Sequence, residues 1–449
     1  MDCLTLTERF FDKLSSVMKN KELKDRIVFT LLMFLVARIG THIPAPGVDI
    51  ERLGQMTADN DILSYLNMFS GGAFKSISIF ALGIVPYINA SIVFSLLSVI
   101  IPRIEEIQKE GESGRSRIAQ WTRYVTILIA IVQGFATCTF LRSQGLVTQT
   151  NLFSFHLTTI TILTAGTIFL MWIGEQITIS GVGNGVSLLI FLNVISGAPS
   201  GVLETIQKMQ HSRFLIPVLI LVALLMVAVV SLIVLFQLGQ RKIPIHYVGK
   251  GYGRAGGVGD KSYIPLKLNS AGVMPVIFAS VAMMLVSGVN RFLPTLVDRL
   301  YSSFGSDTIS KIPTASAVKV WITRIFGNES MGYYLIFALI IIFFSFFYTA
   351  IVFDPEKVAD NLKQGGGTIP GIRPGTETVE YLEGVVERIT WGGAFFLAGL
   401  SILPPILFKA VGLPVFFQGT GIIIVVGVAI DTIEQINAHL VMRDYKGFL

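Results

Sequence analysis

Long apolar segments are the feature that most constrains this chain. Residues 214–236 carry no charged side chain, and a helix of about 20 apolar residues is long enough to cross a bilayer. Over all 449 residues, 52% are apolar and only 14% are charged. A soluble globular protein usually has about 25% charged residues, so a soluble enzyme is not expected.

The other apolar segments raise the number of predicted spans to ten. We place them at residues 27–43, 82–101, 121–141, 158–177, 184–203, 214–238, 268–289, 332–353, 389–410 and 415–440. Lysine and arginine are concentrated in the alternate loops that share a side with both termini. Positively charged loops stay in the cytoplasm, so both termini are predicted to be cytoplasmic. Residues 1–26 are interpreted as a cytoplasmic amphipathic segment rather than a secretory signal.

A short pattern occurs twice in the chain. Glycine, proline, isoleucine, alanine and serine match in order between residues 83–91 and 272–280. The pattern predicts two halves of five spans, at 27–203 and 204–449, which must be inverted because five is odd. Pro86 and Pro275 should begin or bend equivalent helices that face each other across the functional axis. Chance matching of small residues is the alternative.

Three polar stretches between spans are candidates for function. The cytoplasmic loops 240–267 and 354–388 are longer than simple connections, and the alternative is a disordered connector. The turn-rich run 369–375 should present Arg373 rigidly. Residues 68–81 are too polar to span and too apolar for a free loop. We expect buried re-entrant structure there, with an interfacial helix as the alternative.

Charged residues inside the spans are few. Arg38 is placed to snorkel, and Glu175, Asp431 and Glu434 lie toward the cytoplasmic ends of their spans. Structural pairing or snorkelling is the favoured interpretation of each, with a proton relay through Asp431 as the alternative. Aliphatic residues such as Ile84, Ile88 and Ile277 dominate the candidate pathway instead. An aliphatic constriction of this kind can accommodate a polymer of varied sequence.

Motifs for enzyme chemistry are weak. The G-x-G-x-x-G pattern at 251–256 follows no predicted strand, so a flexible loop explains it better than a dinucleotide site. The histidines have no metal-ligand spacing, and Cys3 and Cys138 are not expected to pair. We therefore predict no catalytic residue, no metal site and no cofactor.

Several ordered motifs make the chain resemble the SecY family, the central channel-forming subunits of the bacterial Sec protein translocase. The resemblance covers nearly the whole length, and it rests on Ile43-Pro-Ala-Pro-Gly47, Phe69-Ser-Gly-Gly72, Ser78-Ile-Phe-Ala-Leu-Gly-Ile-Val-Pro-Tyr-Ile-Asn-Ala-Ser91, Lys109-Glu-Gly-Glu-Ser-Gly114, Met171-Trp-Ile-Gly-Glu175, Gly183-Asn-Gly185, Pro265-Leu-Lys-Leu-Asn269 and Ile369-Pro-Gly-Ile-Arg-Pro-Gly375.

The resemblance implies an all-α polytopic membrane protein with ten transmembrane helices in two inverted halves, shaped as a clamshell around a pore. By this similarity the family's pore ring falls on Ile84, Ile88, Ile190, Val194, Ile277 and Ile424. The family's plug falls on residues 64–81, which include Phe69, Gly71, Gly72, Phe74 and Ser78. The lateral gate, between helices two and three and helices seven and eight, would include Pro86, Asn89, Ser91, Pro275 and Ser280.

The resemblance also implies partners and a location. The two long loops would dock the ribosome or the SecA ATPase through Arg241, Lys242, Lys250, Arg254, Arg373 and Arg388. SecE would clasp the hinge and SecG would bind peripherally. Signal sequences and nascent or secretory polypeptides would be the substrates, at the bacterial inner membrane. An inverted-repeat secondary transporter and a structural membrane scaffold are the alternatives from other classes.

Overall fold

The computed structural model describes residues 20–50, 52–53, 67, 70–148, 151–209, 215–247, 262–284, 286, 330–410 and 419–446. The chain divides into two compact units. The first contains the residues up to Glu204 together with those from Val428 onward, and the second is Thr205–Gly427. Phe69, Lys250, Arg254 and residues 1–19 of the predicted amphipathic segment lie outside the described residues.

The first unit is built from helices. Their bounds are α1 Lys21–Thr41, α2 Val85–Ile100, α3 Pro102–Lys109, α4 Glu112–Ser143, α5 Leu152–Ser180 and α6 Gly185–Met209, whose last residues pass into the second unit.

The second unit combines helices with three short strands. The helices are α7 Leu215–Leu238, α8 Met274–Met284, α9 Met331–Val352, α10 Pro355–Gln364, α11 Thr376–Ala410 and α12 Gly419–Lys446, whose residues from Val428 belong to the first unit. The strands are β1 Gln240–Tyr247, β2 Ser262–Lys267 and β3 Gly367–Thr368.

A helix lies at each of the ten predicted spans. Within the described residues, six of these helices are long and apolar enough to cross a membrane, and α2 with α3 would make a seventh if the pair is one bent span. The pair bends by 102° because Pro102 disfavours helical backbone in the residue before it. α1 is not among the six, since Asp25, Arg26 and Arg38 bracket its apolar stretch.

Small and hydroxylated residues pack the helices of the first unit. A Cβ on Gly134 of α4 would lie 3.6 Å from the Ile160 Cα of α5, so the two helices approach closely, as membrane helices with small residues do. The buried hydroxyls of Thr126 and Thr167 donate hydrogen bonds to carbonyls one turn earlier, over 2.7 and 3.0 Å. These two buried threonines are thereby satisfied within their own helices.

Capping residues fix where several helices begin. The side chains of Asn20, Ser330 and Asp354 accept hydrogen bonds from backbone N–H groups in the first turns of α1, α9 and α10. These are N-cap residues whose oxygens satisfy donors that a helix leaves free. A hydrogen bond from the Lys357 side chain holds the pKa of the Asp354 carboxyl below its ordinary value, so the cap stays charged at neutral pH.

A three-stranded sheet joins the two long loops. β1 pairs with β2 in antiparallel register from Gln240 opposite Lys267 to Ile245 opposite Ser262. β1 also pairs with β3, with His246 opposite Thr368. The sheet is an addition to the all-helical architecture that the sequence predicts. The alternative of a disordered connector is wrong for the described arms of loop 240–267.

The sheet packs on the first part of α11. The buried side chains of this cluster are Ile243, Leu266, Ile369, Leu382, Val385 and Val386. Spacings of three and four residues put the last three on one face of α11. We call β1, β2 and β3 together with residues 354–388 the sheet surface.

Leu382→Ala is expected to loosen the sheet surface. Leu382 is 0% exposed, and truncating such a leucine costs about 2–5 kcal/mol. Hydrogen exchange of β1 and β2 amides in the full chain in detergent should therefore speed up about tenfold or more. Leu403→Ala on the same helix is the control, since Leu403 is 44% exposed. Equal exchange in the two variants would contradict the packing.

Candidate functional site

The predicted ring residues of the first unit are buried aliphatic side chains. Ile84 and Ile88 are 2% and 4% exposed, and Ile190 and Val194 are 3% and 2% exposed. Ile84 caps α2, and each pair is four residues apart, which puts its members on one face of α2 or α6. The first unit therefore presents these residues as two aliphatic faces.

The second unit supplies two further aliphatic residues. Ile277 lies on α8 and Ile424 on α12, and they are 1% and 0% exposed. None of the six predicted ring positions holds a polar side chain. All six predicted ring residues are thus buried in the chain, and their closure into one ring stays a prediction.

The repeated sequence has the same backbone geometry in both units. Gly83 and Gly272 have φ values of +57° and +65°, a left-handed conformation that glycine adopts without steric cost. Three residues later, Pro86 and Pro275 stand in the first turns of α2 and α8. The prolines therefore begin the helices and do not bend them, as expected where a missing N–H costs nothing.

One backbone hydrogen bond is also shared by the two copies. The Ile88 N–H donates to the Ile84 carbonyl over 3.0 Å, and the Ile277 N–H donates to the Val273 carbonyl over 3.2 Å. A hydrogen bond to the residue four earlier begins any α-helix, so the pair of bonds shows that the two helices start at equivalent positions of the repeated sequence. The interpretation as an internal repeat stays a prediction.

The predicted gate residues lie on these two helices. Asn89 and Ser91 of α2 are half-buried, and Ser280 of α8 is buried. The Ser280 hydroxyl donates to the Val276 carbonyl over 2.8 Å, so it presents no free donor. The role of these residues as a gate stays a prediction.

Residues 70–84, which we call the buried segment, form consecutive turns ahead of α2. Ser70, Phe74, Ile77 and Ser78 are at most 3% exposed, whereas Gly72 is exposed. The hydroxyl of Ser70 accepts a hydrogen bond from the Phe74 N–H over 3.0 Å. The segment is largely buried and does not form a helix, which agrees with the re-entrant interpretation and not with an interfacial helix.

Residues 43–45 pair with the buried segment. The Ala45 N–H donates to the Ile77 carbonyl over 2.8 Å, and the Ile79 N–H donates to the Ile43 carbonyl over 3.0 Å. Ile77 itself has a φ of +42°, and it is the one described non-glycine residue with a positive φ. Such a conformation costs about 1–3 kcal/mol and persists only where the surroundings fix it.

Two polar side chains contact the start of the buried segment. Arg38 Nη1 of α1 donates to the Gly71 carbonyl over 2.8 Å. The Ser196 hydroxyl of α6, which also donates to the Asn193 carbonyl over 2.7 Å, lies 3.3 Å from the same Gly71 oxygen. Sequence analysis expected Arg38 to snorkel or to pair, and it missed Ser196. No motif signals this contact, because its acceptor is a backbone carbonyl.

A second predicted structural pair is present. Glu175 accepts a hydrogen bond from Arg123 Nε over 2.7 Å, with both side chains partly exposed. Asp431 and Glu434 also have interaction partners. Within the described part of the chain, no cluster of histidine, cysteine, aspartate and glutamate could hold a metal ion.

Cationic side chains stand on the sheet surface. Arg241 and Lys242 of β1 are exposed, and Lys242 Nζ lies 4.6 Å from the centre of the Tyr263 ring. The Arg373 side chain is 88% exposed, with Nη1 3.9 Å from Glu377 Oε1. Arg388 is also exposed, inside α11.

The turn that carries Arg373 is ordered by its own hydrogen bonds. The Ile372 N–H donates to the Ile369 carbonyl over 3.1 Å, and the Thr378 hydroxyl donates to the Arg373 carbonyl over 2.9 Å. The predicted rigid turn is therefore present. The sheet beside it was missed, although the alternation of Ile243 and Ile245 is a weak strand signal.

The SecY family model matches residues 78–433. The protein translocase subunit SecY of Pseudomonas aeruginosa is 41% identical over 430 residues, which cover 95% of this chain and 93% of that protein. The subunit of the same name from Escherichia coli K12 is 40% identical over 437 residues, covering 95% and 94%.

Solved structures share the fold. A structure described as a protein conducting channel matches with a TM-score of 0.61 at 15% identity and covers 92% of both chains. Sec61 in the canine ribosome-channel complex from the endoplasmic reticulum matches with a TM-score of 0.57 at 14% identity, again covering 92% of both. These matches confirm the predicted fold class. Together with the family-model match and the relatives near 40% identity, they show that the chain belongs to the SecY family of protein translocase subunits.

Proposed function

We propose that this SecY-family chain forms a pore for unfolded polypeptides, sealed at rest by an aliphatic ring and by the buried segment. The observation that carries the proposal is the burial of all six predicted ring residues, each at most 4% exposed. An aliphatic constriction coordinates no ion and repels water, so it blocks small solutes. It also accommodates side chains of any chemistry, which a polypeptide substrate requires.

The two units contribute unequally to the proposed ring. Ile84, Ile88, Ile190 and Val194 come from the first unit, and Ile277 and Ile424 from the second. A ring made from two units opens when the units separate. The predicted plug, residues 64–81, belongs to the first unit alone, and we assign the role of plug to these residues, of which 70–81 lie in the buried segment.

The lateral gate is proposed to lie between the halves. α2 and α8 begin with the same glycine–proline turn, which supports their assignment as equivalent members of an inverted pair. Separation of α2 and α4 from α8 and α9 would let apolar segments leave into the bilayer. Pro86, Asn89 and Ser91 would line one side, with Pro275 and Ser280 on the other.

The sheet surface is proposed to dock the energy source. Its exposed cations, Arg241, Lys242, Arg373 and Arg388, suit phosphate oxygens of ribosomal RNA or carboxylates of the SecA ATPase. One solved structure with this fold is a ribosome-channel complex. The channel itself would then be passive, and SecA or the translating ribosome would drive transport.

SecE and SecG are proposed as the remaining subunits. SecE would clasp the hinge after α6 and SecG would bind at the periphery, as the family resemblance implies. The concentration of lysine and arginine in alternate loops supports a multi-pass arrangement with both termini in the cytoplasm. The proposed location is the bacterial cytoplasmic membrane.

Photocrosslinking during transport tests the pore. A photoreactive residue at Ile84, Ile277 or Ile424 should give adducts with a secretory chain stalled in transit, because these side chains line the proposed constriction. A photoreactive residue at Phe343, which is 57% exposed on α9, is the control and should give none. Absence of adducts at all three ring positions, with stalling verified, would refute the polypeptide pore.

Polar substitution in the ring should weaken the seal. Ile84→Asn and Ile277→Asn place an amide where a dry aliphatic surface is proposed, which favours water in the constriction. Ion leak through vesicles that contain the full chain should rise severalfold, and export of a substrate with a defective signal sequence should increase. Ile220→Asn, at a position 62% exposed on α7, is the matched control. Leak equal to the control in both ring variants would contradict the seal.

Charge reversal at Arg373 should weaken docking without disturbing the fold. The side chain is 88% exposed, so Arg373→Glu removes a donor for phosphate or carboxylate and adds repulsion. Affinity for ribosomes or SecA at physiological salt should fall roughly tenfold or more. Arg142→Glu is the control, because Arg142 is an exposed arginine in the last turn of α4. Unchanged affinity for both partners would remove Arg373 from the docking surface.

A further inference from the structure

The buried segment is held differently at its two ends. At the C-terminal end, residues 77–79 form backbone hydrogen bonds with residues 43–45, and Pro44 and Ser78 form an antiparallel bridge. Breaking such pairs would leave buried N–H and carbonyl groups without partners, which costs free energy. This end is therefore fixed to the loop that follows α1.

Close packing adds to the fixed end. A Cβ on Gly40 of α1 would lie 1.9 Å from Cε2 of Phe80, and a Cβ on Gly166 of α5 would lie 2.0 Å from the Ile79 carbonyl oxygen. Two helices thus surround residues 79 and 80 so closely that only glycine fits. Phe80 also stacks on Phe169 of α5, with ring centres 6.0 Å apart.

The N-terminal end has directional contacts of another kind. Its local hydrogen bonds, from the Phe74 N–H to the Ser70 hydroxyl and from the Lys75 N–H to Asn67 Oδ1, move with it. Phe74 packs in the apolar cluster of the unit, but apolar contact has no preferred direction. This end is tied to the surrounding helices by Arg38 of α1 and Ser196 of α6, whose side chains both reach the Gly71 carbonyl.

Gly71 is shaped for this contact. Its φ of +66° favours glycine, and an added Cβ would lie 2.7 Å from Asn193 Oδ1 and 3.1 Å from Arg38 Nη1. Asn193 and Ser196 stand on α6, the helix that carries Ile190 and Val194. Movement of this ring helix would therefore pull directly on the contact at Gly71.

We propose that Arg38 and Ser196 form a latch on the Gly71 carbonyl that holds the proposed plug closed, and that the plug opens by release of this end while residues 77–80 stay anchored. The inference rests on the proposed function and adds its positioning residues. The Ser196 hydroxyl has a single hydrogen, and its shorter bond is to the Asn193 carbonyl. The charged Arg38 donor makes the stronger bond to Gly71, so Arg38 is the main element of the latch. Once released, its long side chain can extend to water, which lowers the cost of opening.

Differential cysteine labelling in Arg38→Met tests the latch. Methionine keeps the apolar length of the side chain and removes every donor. In the full chain in membrane vesicles, with Cys3 and Cys138 replaced by serine and alanine, single cysteines are introduced as Ala73→Cys or Ser78→Cys, at positions that are both 0% exposed. The latch predicts that Arg38→Met raises the rate of maleimide labelling at position 73 about tenfold and leaves position 78 protected.

Additional variants keep the test decisive. Ser196→Ala should give a smaller rise at position 73, Arg38→Lys should restore part of the protection, and Arg142→Met should have no effect.

An unchanged rate at position 73 in Arg38→Met overturns the proposal, and so does an equal rise at both positions, which would indicate general loosening of the unit. Polypeptide adducts at Ile84 with unchanged labelling would refute the latch and leave the pore intact. Missing adducts with differential labelling would refute the pore alone.

Discussion

Pairing of peptide groups away from water is the condition on which the first unit depends. In hydrocarbon a free N–H or carbonyl costs several kcal/mol, and helices avoid that cost within their own turns. The buried segment does not form a helix and yet is buried, so its peptide groups need hydrogen-bond partners from other parts of the chain. Residues 43–45, the Ser70 hydroxyl and Arg38 supply them. The same pairing fixes the left-handed backbone of Ile77.

The two copies of the glycine–proline turn show how one backbone solution serves both units. Gly83 and Gly272 reverse the chain in a left-handed conformation, and a proline then starts the helix. Neither turn uses a charged side chain, as the proposed polypeptide pore requires of walls that recognise no particular sequence.

The sequence predicts the helices well because span length and lack of charge are properties of the segment itself. Pro86 and Pro275 were identified from the repeat, but membership of Ile190, Val194 and Ile424 in a ring came from family resemblance, since an aliphatic residue in an apolar helix has no distinguishing pattern. β1 was missed because its apolar alternation is short and Pro244 interrupts it. The contact of Arg38 with Gly71 depends on tertiary placement of a carbonyl, which no local pattern encodes.

The small sheet has a consequence for biosynthesis. β1 contacts β3 through the pair His246 and Thr368. The third strand of the sheet is therefore missing until the ribosome has made and released residue 368. The side chains of Leu382 and Val385, which cover the sheet, emerge later still. A partly synthesised chain can therefore insert its first helices long before its basic surface is complete. The proposed docking surface is thereby completed only after residues 382 and 385 have been made.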